Sequence, residues 1–449
     1  MLLITDLLSV VQGQVSPTNL QHLALIVQRI LSLSRPVTTL SIARISSISY
    51  RTVQRFYAST DMNWLLINLL LFRAFVYQPG KIYLLAADET VEDKAGKHTY
   101  GISHFYSSII QKAIRSVSFL AIVIIDVEAK KSFFVACQQL IANPKKPSPD
   151  PEKTPSIAAL SKPKGRPKGS KNKPKTEPEG TSYQTLKTLL SLVMSQLRFL
   201  LPELSCFHLV LDGFYGHEDY LLLALENKLQ IISKFKSNAH LTLPYAGVQS
   251  GKGRPKTKGD RVDLAQLPAA FLVKSSQDTA TKISTHVYHF KAYTPKMANQ
   301  LLTIVVLVHT HSVSGKQSRT VLFTNDLNLS ASQVVTYYSL RFQIEPGRRC
   351  DCFRDAKQFY GLSSFKNYKQ AQVTTAVNLS FTMTLLGKLI LEKYKTKLSC
   401  AGMGIADLKT VFKLQSYAQG FFKDNREQTD AFLNSPEFLN LARLEAIHI

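Results

Sequence analysis

"FHLVLDGFYGHEDYLLLALENKLQIISKFK", residues 207–236, carries the alternation that decides the fold. "FHLVLDG" reads as a buried strand ending in Asp212, "HEDYLLLALENK" as a helix and "LQIISKFK" as a second strand. A strand–helix–strand unit calls for parallel strands joined by a right-handed crossover. Acids at strand ends in such a sheet sit at the edge where ligands bind. Asp212 is therefore a candidate functional residue.

Working outward, the same alternation continues toward the N-terminus. "KIYLLAADET" reads as a strand from Lys81 with Asp88 at its acidic end. "RSVSFLAIVIIDVE" and "KKSFFVACQQL" read as two more strands, with a turn at Ala129-Lys130, so a close antiparallel meander is expected. "SYQTLKTLLSLVMSQLRFLL" reads as a long helix leading into the opening stretch. Toward the C-terminus, residues 240–330 alternate short apolar runs such as "HVYHFKAY" and "LLTIVVLVHT" with Gly, Lys and Asn turns, a β-rich segment. Helices resume at Ser330, and "AQVTTAVNLSFTMTLLGKLILEKYK" is a long apolar one.

Residues 1–80 are helical in pattern, with a start at Pro17-Thr18. "TTLSIARISSISYRTVQRFYA" has the rhythm of a helix-turn-helix: a short helix with Ile42 and Ala43, a Ser-rich turn, and a second helix from near Ser49. That helix turns Tyr50, Arg51, Gln54 and Arg55 outward, toward a major groove or simply as the basic face of a helical hairpin. Residues 143–180 hold nine of the 19 prolines and ten basic residues against four acids, a composition that cannot bury enough surface to fold. Within this linker Arg166, in Gly165-Arg166-Pro167, can lie in a narrow minor groove or belong to a solvated tether. The triplet recurs around Arg254.

The bulk numbers set the class. The chain has 449 residues, 45% apolar, enough for several domains around a large core. Lys plus Arg is 55 and Asp plus Glu is 31, so the net charge of 55 − 31 = +24 points to a polyanionic partner. Cys137, Cys206, Cys350, Cys352 and Cys400 are few, odd in number and scattered, which excludes a disulfide framework and leaves incidental thiols. No signal peptide is evident, and "WLLINLLLF" and "FLAIVII" fall short of the roughly 20 residues that span a bilayer. The expectation is a soluble protein in a reducing compartment, with no membrane partner.

A second stretch, "YYSLRFQIEPGRRCDCFRDAKQFYG" (Tyr337–Gly361), places Tyr338, Arg341 and Glu345 at spacings of three and four, hence on one helix face. Pro346-Gly347 follows, the pair least compatible with a helix interior. Asp88, Asp212 and Glu345 thus offer three carboxylates on separate elements, the minimum that could hold two Mg²⁺ ions about 4 Å apart for phosphodiester cleavage. Asp351 and Asp355 are rival third acids. Glu89, Glu92 and Asp93 read as solvated loop acids, and His98, His104 and His217 as surface residues rather than ligands.

"AADETVEDKAGKHTYG", "LVLDGFYGHEDYLLLAL", "GKGRPKTKGD" and "YYSLRFQIE…FRDAKQFYGL" together resemble bacterial insertion-sequence transposases of the DDE type, in order through residues 81–395. The most specific part is the Tyr-x₂-Arg-x₃-Glu pattern at Tyr338, Arg341 and Glu345. The resemblance implies an α/β, RNase H-like mixed sheet with flanking helices, a β-rich insertion at 240–330 and an α-helical N-terminal domain. The core would span 81–142 and 181–239, with C-terminal catalytic helices at 331–400 and a helical tail at 401–449. It implies a triad of Asp88, Asp212 and Glu345 holding two Mg²⁺ (or Mn²⁺) ions, with Tyr338 and Arg341 on the DNA end. Lys357, Arg51, Arg55, Arg166 and Arg254 would also contact DNA.

In the family pattern a Lys lies seven positions after the Glu, but here that position is Cys352 and the best match is Lys357. The simplest account is five extra residues, Pro346–Cys350, which either loop out or split the catalytic helix. The implied function is binding of terminal inverted repeats, then Mg-dependent cleavage and strand transfer into target DNA by a homodimer in the bacterial cytoplasm, near the nucleoid. The alternatives are an impaired copy acting only as a DNA-binding protein and a related RNase H-like nuclease.

Overall fold

The computed structural model describes residues 2–34, 36–107, 110–142, 181–249, 251, 253–297, 299–344, 352–422 and 425–444. Five helices come first: α1 (Leu2–Leu8), α2 (Pro17–Ser32), α3 (Thr39–Arg44), α4 (Tyr50–Ala58) and α5 (Trp64–Phe75). Their starts follow local chemistry. Pro17 opens α2 with Ser16 capping the backbone N–H of Asn19, and Thr38 and Ser41 form a capping box on α3. Ser49 caps α4, leaving Val53, Phe56 and Tyr57 buried. This head is not detached: α2 packs on α11 (Ile405–Phe421), and α4 and α5 pack on α10 (Gln370–Leu398).

The first half of the sheet is β1 (Ile82–Asp93), β2 (Ser103–Ser107), β3 (Lys112–Asp126) and β4 (Lys131–Leu140). β3 runs antiparallel to β1, β2 and β4. The turn into β4 has Lys130 at φ +54°, and the Asp126 carboxylate accepts the Ala129 N–H at 2.8 Å. After α6 (Thr181–Leu200) come β5 (Ser205–Val210), α7 (Glu218–Glu226) and β6 (Gln230–Phe235). β5 lies parallel to both β1 and β6, as the strand–helix–strand reading expects. The core order β4-β3-β1-β5-β6 is the RNase H-like arrangement, an antiparallel meander extended by parallel strands.

The β-rich segment continues this sheet edge to edge. It comprises β7 (Thr242–Pro244), β8 (Lys258–Arg261), β9 (Leu272–Asp278), β10 (Ile283–Tyr293), β11 (Leu301–His311) and β12 (Gln317–Thr324). β12 pairs antiparallel with β6, giving one 12-stranded sheet. The remaining helices are α8 (Ala331–Leu340), α9 (Cys352–Gln358), α12 (Arg426–Leu433) and α13 (Pro436–Leu444).

Strand alternation tells the two faces of the core apart. On β4, Phe133 meets Phe72 of α5 at 6.0 Å between ring centroids, whereas Phe134 stacks on Phe381 of α10 at 4.9 Å. One face is therefore covered by α5 with α6, the other by α10 with α9. β3 is buried continuously from Val117 to Asp126 because both its faces are covered. Burying one such Phe contributes about 1.5–3 kcal/mol. The Gln370–Leu398 helix is the one described helix long and apolar enough to cross a membrane, and 83% of its apolar window is buried inside the protein.

Candidate active site

Asp88 and Asp212 meet because of register. Ala86 of β1 pairs with Val210 of β5, and each aspartate lies two residues further along, on the same face and at the same level. Asp88 is not at the strand end, as the sequence suggests. β1 runs five residues beyond it, because β3 stays paired up to Asp93 after β5 has stopped. Asp212 does lie just past its strand, still extended at φ −66° and ψ 163°. Both are at the C-terminal edge of the parallel pair, where ligands bind in sheets of this type.

Arg341 closes the pair. Its Nη1 lies 3.5 Å from Asp88 Oδ2 and its Nη2 3.4 Å from Asp212 Oδ1. The Arg341 side chain is only 2% exposed, against 17% for Asp88 and 32% for Asp212. The guanidinium also lies over the Phe342 ring, 4.7 Å from its centroid. Tyr338 donates its hydroxyl to Asp212 Oδ1 at 3.3 Å. The sequence reading puts Tyr338 and Arg341 on one face toward a DNA end; here both are buried and hold the carboxylates. α8 stops at Leu340 and a 3-10 turn carries Arg341–Gln343, so the helix changes before Pro346 is reached.

Glu345, Pro346–Cys350 and Asp351 lie outside the described residues, as do Arg166 and the 143–180 linker. Among the described residues, the Phe353 N–H donates to the Ile344 carbonyl at 3.3 Å. Among the described residues, no three His, Cys, Asp or Glu side chains form a metal-binding group.

Register also explains a residue that sequence reading missed. Val210 pairs with Ile232, so Lys234 of β6 stands level with Asp212, and its Nζ lies 3.4 Å from Asp212 Oδ1. Two-residue counting along the three parallel strands would have found it. Burial pushes the Asp212 carboxyl up, but Arg341, the Gly213 N–H and Lys234 outweigh this and hold it below its ordinary value. Two further contacts brace the site. Ser233 donates to the Asp212 carbonyl at 2.9 Å, and His208 Nε2 lies 2.9 Å from Asp326 beside the Tyr337 ring.

The acids near Asp88 are on a strand rather than in a loop, and of them only Asp93, at the end of β1, is exposed. All lie on β1, and alternation separates them. Glu89 points to the opposite face, where the Tyr215 hydroxyl donates to it at 3.0 Å. Glu92 shares the Asp88 face, is buried, and pairs with Lys357 of α9 at 2.7 Å. Four residues at the usual rise put Lys357 about 13 Å along the strand from Asp88. Asp355 is buried beside Arg354 at 3.1 Å. His98 and His104 are exposed, and His217 lies 3.2 Å from Asp219. Arg51 and Arg55 are exposed on α4, and Arg254 is exposed between β7 and β8.

A family model described as DDE superfamily endonuclease matches residues 16–294, a span that contains both aspartates and ends before α8. No curated protein matches the chain.

Proposed function

We propose, from the premise that the chain belongs to the DDE superfamily of endonucleases, that it is the transposase of a bacterial insertion sequence. As a DDE endonuclease it acts on DNA. In this reading it binds the terminal inverted repeats, cleaves there, and joins the freed end to target DNA. The observation that carries it is the Asp88–Asp212 pair, level on parallel strands and closed by one buried cation.

Two carboxylates that already converge on a single positive charge present the hard oxygen donors that suit Mg²⁺ or Mn²⁺. Asp88 and Asp212 would hold the ion or ions, with Glu345 as the third ligand. Bound there, a divalent ion lowers the pKa of a water and neutralises charge on the departing 3′ oxygen. With an ion held by those carboxylates, cleavage would join a water oxygen to phosphorus as the bond to the 3′ oxygen breaks, and strand transfer would repeat the displacement with the freed 3′-OH on a target phosphodiester, releasing that phosphodiester's own 3′ oxygen. Arg341 and Lys234 fix the carboxylate rotamers. Tyr338 orients Asp212 through its hydroxyl.

Arg51 and Arg55, exposed on α4, would contact the repeats, with Arg254, Arg166 and Lys357 adding backbone affinity. Pairing two ends requires at least two protomers, so a homodimer forms on DNA. The site of action is the bacterial cytoplasm.

The test is incubation of purified protein with Mg²⁺ and labelled DNA carrying the sequences that flank its gene. Nicking and strand transfer by the wild type, with about a thousandfold loss or more in Asp88→Asn and Asp212→Asn, is expected. Binding without nicking favours instead a protein that only occupies DNA ends, with the Arg341 clamp left closed. Cleavage of branched DNA regardless of end sequence favours an RNase H-like junction nuclease and overturns the transposase reading.

A further inference from the structure

The pairing of β1 with β5 ends at Ala86 and Val210, two residues short of each aspartate. Strand pairing therefore does not set the distance between Asp88 and Asp212. In front of the sheet that distance is spanned by Arg341, at 3.5 and 3.4 Å. Behind the sheet runs a chain of shorter contacts. The Glu89 N–H donates to Asp88 Oδ1 at 2.8 Å, and Glu89 Oε1 accepts the Tyr215 hydroxyl at 3.0 Å. The Tyr215 N–H donates in turn to the Asp212 carbonyl at 2.9 Å. The Tyr215 ring is buried and held edge-on to Tyr220 of α7 at 4.9 Å, and Tyr220 packs on Tyr183 of α6 at 5.5 Å. The turn that carries Tyr215 presses on β6. A Cβ on Gly213 would come 2.6 Å from the Lys234 side chain, and one on Gly216 2.6 Å from the Lys234 carbonyl. The Glu89 side chain thus meets a hydroxyl that is fixed in place.

We infer that Glu89 and Tyr215 are positioning residues for the divalent-cation site, their hydrogen bond behind the sheet setting the separation of Asp88 and Asp212. Their role rests on the DNA-cleaving reading above, and both act through the two aspartates. Asp88 and Glu89 are neighbours on one strand, so their side chains leave opposite faces. Glu89 therefore faces away from the pair and is not a ligand. Holding its side chain from behind fixes the strand twist that aims Asp88 forward. A divalent cation at the carboxylates competes with Arg341 for the same two oxygens, Asp88 Oδ2 and Asp212 Oδ1. The link behind uses other atoms, so it stays intact when the contacts in front are exchanged. A small hard cation tolerates little error in the placing of its oxygens, so carboxylates kept at one separation bind it more tightly. Groups that hold metal ligands in place contribute about 10- to 100-fold in affinity.

The experiment titrates the full chain with Mn²⁺ and follows the EPR signal of the free ion, at a temperature where every variant is folded. Asp212→Asn serves as the blank for ions held elsewhere on the surface. Tyr215→Phe and Glu89→Ala are each expected to weaken Mn²⁺ binding by about 10- to 100-fold. The double variant should bind no worse than either single one, because both remove the same bond. Glu89→Gln keeps a carbonyl oxygen to accept the Tyr215 hydroxyl and should stay within about threefold of the wild type. Glu92→Gln breaks a different buried pair on the same strand, so it should lower stability and leave Mn²⁺ affinity unchanged. Unchanged affinity in Tyr215→Phe overturns the positioning role. So does a loss in Glu89→Gln as large as in Glu89→Ala, which would make Glu89 act by its charge, or an equal loss in Glu92→Gln, which would mark general loosening. A wild type that binds no more Mn²⁺ than Asp212→Asn overturns the cation site itself, and the role of the link with it.

Discussion

Replacing Arg341 with methionine keeps the length and apolar character of the stem and deletes the charge. Asp88 and Asp212 then face each other without the guanidinium that now lies 3.5 Å from one and 3.4 Å from the other. Charge-assisted contacts contribute about 1.5–3 kcal/mol each, and contacts of this length belong at the lower end. Removing one partner from a buried ion cluster costs about 3–5 kcal/mol. Both routes converge near 3 kcal/mol, which in a chain of 449 residues corresponds to a fall in Tm of about 3 °C. The assay is thermal denaturation with and without Mn²⁺. Because the variant has lost its own cation, Mn²⁺ should raise its Tm more than that of the wild type, through selective binding to the folded state. The Asp212 carboxyl, held low, stabilises the fold above its ordinary pKa of 3.8 and loses that contribution as pH falls below it. Arg341→Met should flatten the acid limb of the wild-type stability profile. A Tm unchanged within about 1 °C, together with an Mn²⁺ shift no larger than the wild type's, would refute the clamp.

Three further outcomes are expected. Glu92→Gln should lower Tm by an amount matching about 2–3 kcal/mol, because Lys357 loses its 2.7 Å partner in a largely buried setting; equal Tm values would show that the pair is replaced by water. Arg51→Ala and Arg55→Ala should leave thermal stability unchanged, since both are exposed, while each lowers the slope of log affinity against log salt by about 1; a slope identical to the wild type's would remove α4 from the DNA interface. Burial holds Lys409 at about 8 and Lys94 at about 8, against 10.5 unfolded, so the folded state binds fewer protons between those values and stability rises with pH from about 8 to 10. Chemical denaturation across that range checks it, and Lys409→Met should remove part of the rise.

"FHLVLDG…LQIISKFK" was legible as strand, helix and strand because apolar runs and punctuation are local, and the caps Ser16 and Ser49 are local too. Asp212 was legible because it ends an apolar run, and the break between α3 and α4 because it is Ser-rich. The place of Asp88 inside β1 was not, since a strand continues only while a neighbour offers hydrogen bonds, and that neighbour is β3, which begins some 20 residues on. Glu92 looked solvated because nothing nearby in sequence announces Lys357.

The sequence by itself determined the element types, the basic surface, the identities of the two carboxylates and the family. Periodicity and composition are properties of short windows, and short windows carry them fully. Only the tertiary structure decided that Arg341 turns inward, that Glu89 and Asp88 face opposite sides of the sheet, that Lys234 stands level with Asp212, and that β12 joins the insertion to the core. Each depends on the register between strands distant in the chain, and register is fixed by burying whole faces at once rather than by any one segment.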